Sequence, residues 1–258
     1  MNRLSTIIWR AAGGAVVVFM VGPLFVLALF AFSDKTLLSF PITGLTFDWW
    51  IKVFNTPAFW AAFKKSIIIT SVVGLVSTIV GTMAANALAQ MPKRVAGLSM
   101  ALVTLPVMLP PLVLAVALAN YYAALGIKFG FFTVIAGHLV FTQPFVILIV
   151  HARLAGFDYA IVNSARDLGA SPFKAFFTVT FPIIRPTIIG AALVAMALSL
   201  DEFVVTYLTI GRGSTLPIYI WGLMRRGVNP QINVASLVLI TLTIGASLLA
   251  LRATRYRG

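Results

Sequence analysis

Six long apolar runs, separated by polar connections, constrain what this chain can fold into. They lie at about Ala11–Phe32, Ser66–Ala89, Val95–Ala119, Phe131–Val150, Thr187–Thr209 and Val234–Leu251. A helix needs about 20 mostly apolar residues to cross a bilayer, which is close to the length of each run. An open strand would leave backbone polar groups unsatisfied in lipid. The sequence therefore predicts an all-α integral membrane protein of about six transmembrane helices.

Composition supports a membrane protein and excludes several kinds of chemistry. Only 10% of the 258 residues are charged, against about 25% in soluble domains. The net charge of +13 comes from basic residues between the apolar runs, which indicates anchoring to membrane lipid rather than binding to nucleic acid. The chain has no cysteine, which excludes disulfides, thiolate metal sites and cysteine nucleophiles. The two histidines, His138 and His151, have no carboxylate cluster beside them, so we expect no metal site.

Six spans place both termini on the same side of the membrane. More Lys and Arg, including Arg3 and Arg257, lie in the segments on the side of the termini, so both termini are predicted to be cytoplasmic. The connection Ser33–Lys65 is rich in aromatic residues, which prefer the headgroup level. We expect a short interfacial helix near Pro57–Lys65. No soluble domain is evident, and residues 1–258 are predicted to form a single transmembrane domain.

Prolines and small residues shape two of the predicted spans. Leu105-Pro106 and Pro110-Pro111 are expected to kink or break the third run. Such breaks can open a cavity or act as hinges. Alternatively, they only shape the packing of the helices, and both interpretations remain open. Gly74, Gly81 and Ala85 recur at helical spacing in the second run, which predicts a close contact between helices.

The long connection His151–Pro186 has a defined local pattern. Tyr159–Leu168 is predicted to be a short helix, and Gly169 suits the left-handed position just past its end. Ser171 and Pro172 suit the N-cap and the first position of a second helix, which is expected to end before Pro182. Four phenylalanines would share one face of that helix. They could simply pack against the chain's own membrane helices, but that alternative does not explain the defined turn.

The same connection resembles a family motif. Bacterial binding-protein-dependent importers carry a sequence motif in a cytoplasmic loop. The motif begins with Glu-Ala-Ala, has a Gly after three further residues, and ends with Ile-x-Leu-Pro after nine more. Here Asn163-Ser164-Ala165, Gly169 and Val179 to Pro182 occupy those positions, and Asn163 departs from the motif glutamate. The resemblance implies a coupling helix in loop 151–186 that docks on an ATPase. The coupling residues it implies are Asn163, Ser164, Ala165, Arg166, Asp167, Gly169, Ala170, Ser171, Pro172 and Pro182.

Other segments resemble the second permease of spermidine/putrescine importers. They are Phe40-Pro41, Gly44-Leu45-Thr46 before Trp49-Trp50, Leu105-Pro106, Ser199 to Phe203 and Gly227-Val228-Asn229-Pro230. The resemblance implies the type I ABC importer permease fold in a bacterial inner membrane. It also implies three kinds of partner: a second homologous permease, two cytosolic ATPases that hold ATP and magnesium, and a periplasmic substrate-binding protein. The chain contains no GxxxxGK[ST] phosphate loop, so we expect a transport subunit without enzyme activity or a cofactor of its own.

Two adjacent acids, Asp201 and Glu202, interrupt the fifth run. An acid at a helix centre costs about 2.5–3.5 kcal/mol on the insertion scale, and a cationic cargo would relieve that cost. Aromatic faces attract cations as well. The predicted substrate path or gate therefore comprises Asp201, Glu202, Phe203, Tyr207, Trp221, Tyr121 and Tyr122. The alternative is a structural latch, in which one acid bonds to the partner permease or pairs with Arg212.

Two other classes of function compete with the importer subunit. In an ion-coupled secondary carrier, the acids would serve as a proton relay, but such a carrier does not need a docking loop. A membrane-embedded enzyme is disfavoured because no nucleophile–base constellation is present. The resemblance favours a polyamine cargo, and another small organic cation, an amino-acid-like compound or an organophosphonate remains open.

Overall fold

The computed structural model describes residues 3–227 and 229–255, with side chains described between 8 and 252. Helices occupy most of this length. They are α1 Arg3–Phe30, α2 Asp48–Phe54, α3 Pro57–Ala89, α4 Lys93–Met108, α5 Pro111–Ala124, α6 Phe131–Ala155, α7 Ala160–Asp167, α8 Pro172–Ala175, α9 Phe181–Asp201, α10 Val204–Thr209, α11 Leu216–Arg225 and α12 Pro230–Arg255, with a π-helical segment Phe176–Thr180 between α8 and α9. Val228, Arg257 and the side chains of Arg3 and Arg255 lie outside the described residues.

The predicted membrane spans are present in the described chain. Five stretches are long and apolar enough to cross a bilayer, namely Ile8–Phe30, Pro57–Ala89, Phe131–Ala155, Pro172–Asp201 and Pro230–Arg252. Helices α4 and α5 provide a sixth span if they are counted as one broken span. The prediction of an all-α membrane fold with about six spans is confirmed.

The third predicted span is broken rather than continuous. Helices α4 and α5 are bent by 98° relative to each other. Leu109 and Pro110 between them are extended, with ψ of 139° and 134°. The break follows from Pro111, which lacks an N–H group and pushes the preceding residue out of the helical region. Pro106, by contrast, is accommodated inside α4.

The short interfacial helix was predicted at the wrong place. Pro57–Lys65 forms the first turns of α3, and the short helix of this connection is α2. Pro57 occupies the first position of α3, where a missing N–H group costs nothing. No helix-breaking residue follows it before the apolar run begins at Ser66, so the helix continues into the membrane span.

The chain divides into two compact units, and the first comprises Met1–Trp60 and Tyr219–Ile240. Its described part contains a series of aromatic contacts, here called the aromatic ladder. Ring centroids lie 5.2 Å apart for Phe32 and Trp50 and 5.9 Å apart for Trp50 and Phe54. The ladder continues from Phe54 to Phe59 at 5.6 Å and from Phe59 to Tyr219 at 5.9 Å. Aromatic residues in membrane proteins concentrate at the headgroup level, which is where the ladder is expected to lie.

The second unit comprises Ala61–Ile218 and Thr241–Gly258. Helices α6 and α9 pack together there around a buried core that includes Val146, Ile184 and Ala191. Ala85 of α3 belongs to this core, and a Cβ atom at Gly81 would lie 2.6 Å from Val146 Cγ1. The small residues of α3 therefore permit the close helix contact that their spacing predicts. The single domain over 1–258 stays a prediction.

Candidate functional site

The two acids of the fifth run lie at a helix break. Helix α9 ends at Asp201, Glu202 is extended with ψ of 112°, and α10 begins at Val204. The Glu202 carboxylate accepts a hydrogen bond from the Val205 N–H group at 2.8 Å, so this acid satisfies a backbone donor at the start of α10. The predicted single helix from Thr187 to Thr209 is therefore wrong at its end, because Glu202 caps a new helix instead of continuing the old one.

Asp201 differs from Glu202 in its surroundings. It is the last residue of α9, and its side chain is exposed on the surface of this single chain. Among residues 3–227 and 229–255, the Asp201 carboxylate has no hydrogen-bond or ion-pair partner, and Arg212 does not pair with it. The latch through Arg212 is thus not formed in this structure. A free carboxylate at a membrane helix end is available to a cargo or to another subunit.

A buried polar network, which the sequence did not reveal, joins both sides of this break. The two ring nitrogens of His138 on α6 lie 2.8 Å from the Ser199 hydroxyl on α9 and 2.8 Å from the Thr206 hydroxyl on α10. The network extends through Thr142, whose hydroxyl lies 2.8 Å from that of Ser77 on α3. His138 is 1% exposed. This histidine therefore holds α9 and α10 in a fixed relation across the break.

Replacement of His138 by alanine is expected to destabilise the fold clearly. It removes two hydrogen bonds. The Thr206 hydroxyl keeps its bond to the Glu202 carbonyl at 2.9 Å, whereas the buried Ser199 hydroxyl is left without a partner among the described residues, at about 1–3 kcal/mol. His151→Ala is the matched control, because the Nδ1 atom of His151 has no hydrogen-bond partner in the described chain. Thermal melting of the purified protein in detergent should show a larger drop for His138→Ala. An equal or larger drop for His151→Ala would contradict this role of His138.

The proline break and the acid break meet at one cavity. A cavity of about 240 Å³ is lined by Pro106 and Pro111 beside the first break and by Glu202 and Val205 beside the second. The rest of its lining is apolar and includes Phe141 and Phe145 of α6. Of the two interpretations of the prolines, the structure therefore favours the one in which the break borders a cavity.

The predicted aromatic path residues fall into three places. Phe203 and Tyr207 follow the acids in the chain, with ring centroids 5.3 Å apart, and Tyr121 and Tyr122 lie together on α5 at 6.1 Å. Helix α5 packs against α10, which brings these two pairs into one region of the second unit. Tyr207 and Tyr121 are exposed, whereas Tyr122 is buried. Trp221 belongs to α11 in the first unit. The path or gate role of all seven residues stays a prediction.

The predicted helix–turn–helix of the connection is present. Helix α7 is followed by Gly169 with φ of +88°, the left-handed region that glycine tolerates best. The Ala170 N–H group donates to the Ala165 carbonyl at 3.1 Å and the Gly169 N–H group donates to the Arg166 carbonyl at 2.9 Å. These two bonds define a Schellman motif. The Ser171 hydroxyl then accepts from the Lys174 N–H group at 3.3 Å, so the predicted N-cap is present.

The second helix of the connection does not end before Pro182 as predicted. Helix α8, the π-helical segment and α9 follow one another without interruption from Pro172 to Asp201. The Phe181 N–H group donates to the Phe176 carbonyl, five residues earlier. This π-type spacing accommodates Pro182 within the helix, because Pro182 has no N–H group to donate the usual backbone hydrogen bond. The loop is therefore joined directly to the membrane span, and the predicted start of that span near Thr187 is also wrong.

The described surface of the turn carries both polar motif residues and apolar side chains. Asn163, Ser164, Arg166 and Asp167 are exposed on α7. Leu168 and Phe173 are 89% and 75% exposed. Phe173, Phe176 and Phe177 all line a cavity of about 320 Å³ with Met83, Asn86 and Ala87 of α3, so the phenylalanine stripe partly faces the chain's own helix. The exposed remainder is a surface suited to another protein.

Solved structures show the same fold. The chain aligns with a subunit of a bacterial ABC transporter that imports the acidic polysaccharide alginate, with a TM-score of 0.71 and 14% identity over 99% of this chain and 97% of that one. It also aligns with a chain of the inward-facing MetNI methionine ABC transporter, with a TM-score of 0.63 and 19% identity over 78% and 98% of the two chains. The predicted type I ABC importer permease fold is confirmed.

Sequence comparison identifies closer relatives. The chain is 30% identical over 236 residues to the putrescine transport system permease protein PotI of Escherichia coli strain K12, covering 88% of this chain and 82% of that protein. It is 29% identical over 213 residues to the spermidine/putrescine permease PotC of Haemophilus influenzae, covering 82% and 83%. Residues 77–256 match the model of the binding-protein-dependent transport system inner membrane component. The chain therefore belongs to this family, as a membrane-embedded permease subunit of an ABC importer.

Proposed function

We propose that this permease forms half of the translocation path for a small organic cation of the putrescine or spermidine class. The observation that carries the proposal is the 30% identity over 88% of the chain to a putrescine permease. The exposed Asp201 carboxylate supports it, because no partner within the described chain neutralises this carboxylate. A cationic cargo would supply the missing charge. Phe203 and Tyr207 next to it offer aromatic faces to the same cation.

In this proposal, loop 151–186 couples the permease to ATP hydrolysis by a partner subunit. The turn around Gly169 docks on a cytosolic ATPase subunit, which binds ATP and magnesium and performs the hydrolysis. The exposed side chains of Leu168 and Phe173 suit such an interface. A second, related permease supplies the other half of the path, and a periplasmic binding protein delivers the cargo. Both termini of this chain then lie on the cytoplasmic side of the inner membrane.

Uptake by the reconstituted complex tests this function. Proteoliposomes containing the complete transporter, the loaded binding protein and internal ATP with magnesium are expected to accumulate labelled putrescine. Replacing ATP with a non-hydrolysable analogue should stop uptake, and collapsing ion gradients with ionophores should not. Unlabelled spermidine should compete with the label, whereas methionine should not. Uptake that needs an ion gradient and no ATP would instead identify a secondary carrier, and competition by methionine alone would reassign the cargo.

A further inference from the structure

A polar cavity in the first unit has a positively charged lining. Its volume is about 390 Å³, far more than the roughly 15 Å³ that a single water needs. Two cationic side chains line it, Lys52 from α2 and Arg226 from the turn after α11. The remaining lining residues are neutral and include the hydrogen-bonding side chains of Thr56, Asn229 and Gln231. No described Asp or Glu belongs to the lining, so the cavity favours an anion.

The two cations are oriented by neighbours that do not neutralise them. The Lys52 ammonium lies 5.4 Å from the centroid of the Trp49 ring. The Arg226 Nε–H group donates to the Gly222 carbonyl at 3.2 Å, which leaves the other guanidinium N–H groups as donors. Within the described residues, neither cation has a carboxylate partner. Two positive charges without a counter-ion therefore face the same space.

Tyr219 links this cavity to the aromatic ladder. Its ring contacts Phe59 at 5.9 Å, and its side chain also lines the cavity. Burial raises the pKa of the Tyr219 phenol, while the Arg226 charge and a hydrogen bond with Thr56 oppose that rise. The phenol thus stays protonated at neutral pH. A ladder of aromatic rings beside a cationic pocket is typical of the headgroup level, where rings pack on glycerol and acyl carbons and cations meet phosphates.

We propose that the Lys52–Arg226 cavity binds the phosphate of an anionic phospholipid, with the aromatic ladder supporting the rest of the lipid. The phosphate diester would accept hydrogen bonds from the Arg226 guanidinium and from the side-chain amides of Asn229 and Gln231, and Lys52 would supply a second charge. The bound lipid would join α2 to the α11–α12 connection within the first unit. This site is independent of the cargo, so it stands whether or not the transported solute is a polyamine.

Lipid retention by the intact complex tests the site. The purified transporter is titrated in detergent with phosphatidylglycerol and, separately, with zwitterionic phosphatidylcholine, and retained lipids are counted by native mass spectrometry. Wild type is expected to bind phosphatidylglycerol at least fivefold more tightly than phosphatidylcholine. The double variant Lys52→Gln/Arg226→Gln should lose this preference. Arg226→Lys, which keeps the charge, should retain most of it, and thermal melting verifies that each variant is folded.

The matched control is Lys128→Gln/Arg225→Gln. This double variant removes the same net charge, but neither residue lines the cavity, and both are exposed. It should keep the wild-type lipid preference. An equal loss in the control would overturn the site in favour of general surface charge. Displacement of the lipid by millimolar inorganic phosphate would assign a soluble anion instead. Loss of binding-protein affinity in the cavity variant, with lipid retention unchanged, would assign a protein contact and overturn the proposal.

Discussion

Gly169→Leu is expected to reduce cargo-stimulated ATP hydrolysis and uptake at least fivefold while leaving membrane insertion intact. Gly169 has φ of +88°, and nothing lies within 4 Å of a Cβ atom built on it. The penalty is therefore backbone strain rather than a clash, at about 1–2 kcal/mol for a non-glycine residue in this region. A cost of that size shifts a conformational equilibrium by a factor of about 5–30. The Schellman turn that presents Leu168 and Phe173 would be depopulated.

Gly156→Leu serves as the matched control in the same connection. Gly156 has φ of −103°, which any residue adopts, and a Cβ atom there also has nothing within 4 Å. The control should retain near wild-type uptake and ATP hydrolysis. ATPase activity of the reconstituted complex, measured with and without loaded binding protein, distinguishes the two variants. Normal cargo-stimulated hydrolysis in Gly169→Leu would mean that the turn does not couple this permease to the ATPase.

Asp201→Asn is expected to lower polyamine uptake at least tenfold with little effect on complex yield. The substitution is nearly isosteric, and Asp201 has no partner inside the described chain that the change would disrupt. A cation 4 Å from the carboxylate would lose about 4 kcal/mol of attraction at an effective dielectric constant of 20. Part of this loss is offset because the cargo remains hydrated. Uptake of labelled putrescine in proteoliposomes, scored against the yield of assembled complex, measures the effect.

Glu202→Gln provides the contrast to Asp201→Asn. The amide oxygen of glutamine can still accept the hydrogen bond from the Val205 N–H group, so the helix break keeps its cap. Uptake is expected to stay closer to wild type than in Asp201→Asn. Wild-type uptake in Asp201→Asn would remove Asp201 from the cation path. A failure of that variant to assemble with the partner permease would instead assign Asp201 to a contact between the two subunits.

Features with a local physical cause could be predicted from the sequence. The apolar runs predict spans because lipid requires long apolar segments with internally bonded backbone. The turn at Gly169 could be predicted because Gly169, Ser171 and Pro172 each suit one position of a helix end or start. The break at Pro111 follows in the same way from the missing N–H group. Each of these outcomes depends on a few neighbouring residues.

Features that depend on distant residues could not be predicted. The break at Glu202 lies in a continuous apolar run, and His138 stabilises it from α6, 61 residues before Ser199. No local pattern distinguishes His138 from any other histidine in an apolar span. The π-helical segment is a similar case, because Pro182 predicts an end of the helix, and only the Phe181–Phe176 bond shows how the chain continues. The sequence therefore indicated the two acids, but it did not predict that Glu202 caps a new helix.

The unbroken helix from Pro172 to Asp201 also has a mechanical consequence. Its 30 residues form one rod about 45 Å long at 1.5 Å per residue. One end of the rod carries the exposed turn, and the other end carries Asp201. A tilt of roughly 5° about one end would move the opposite end by about 4 Å, given that length. Because one continuous helix carries both features, we expect a displacement of the turn to be transmitted along this helix to the region of Asp201.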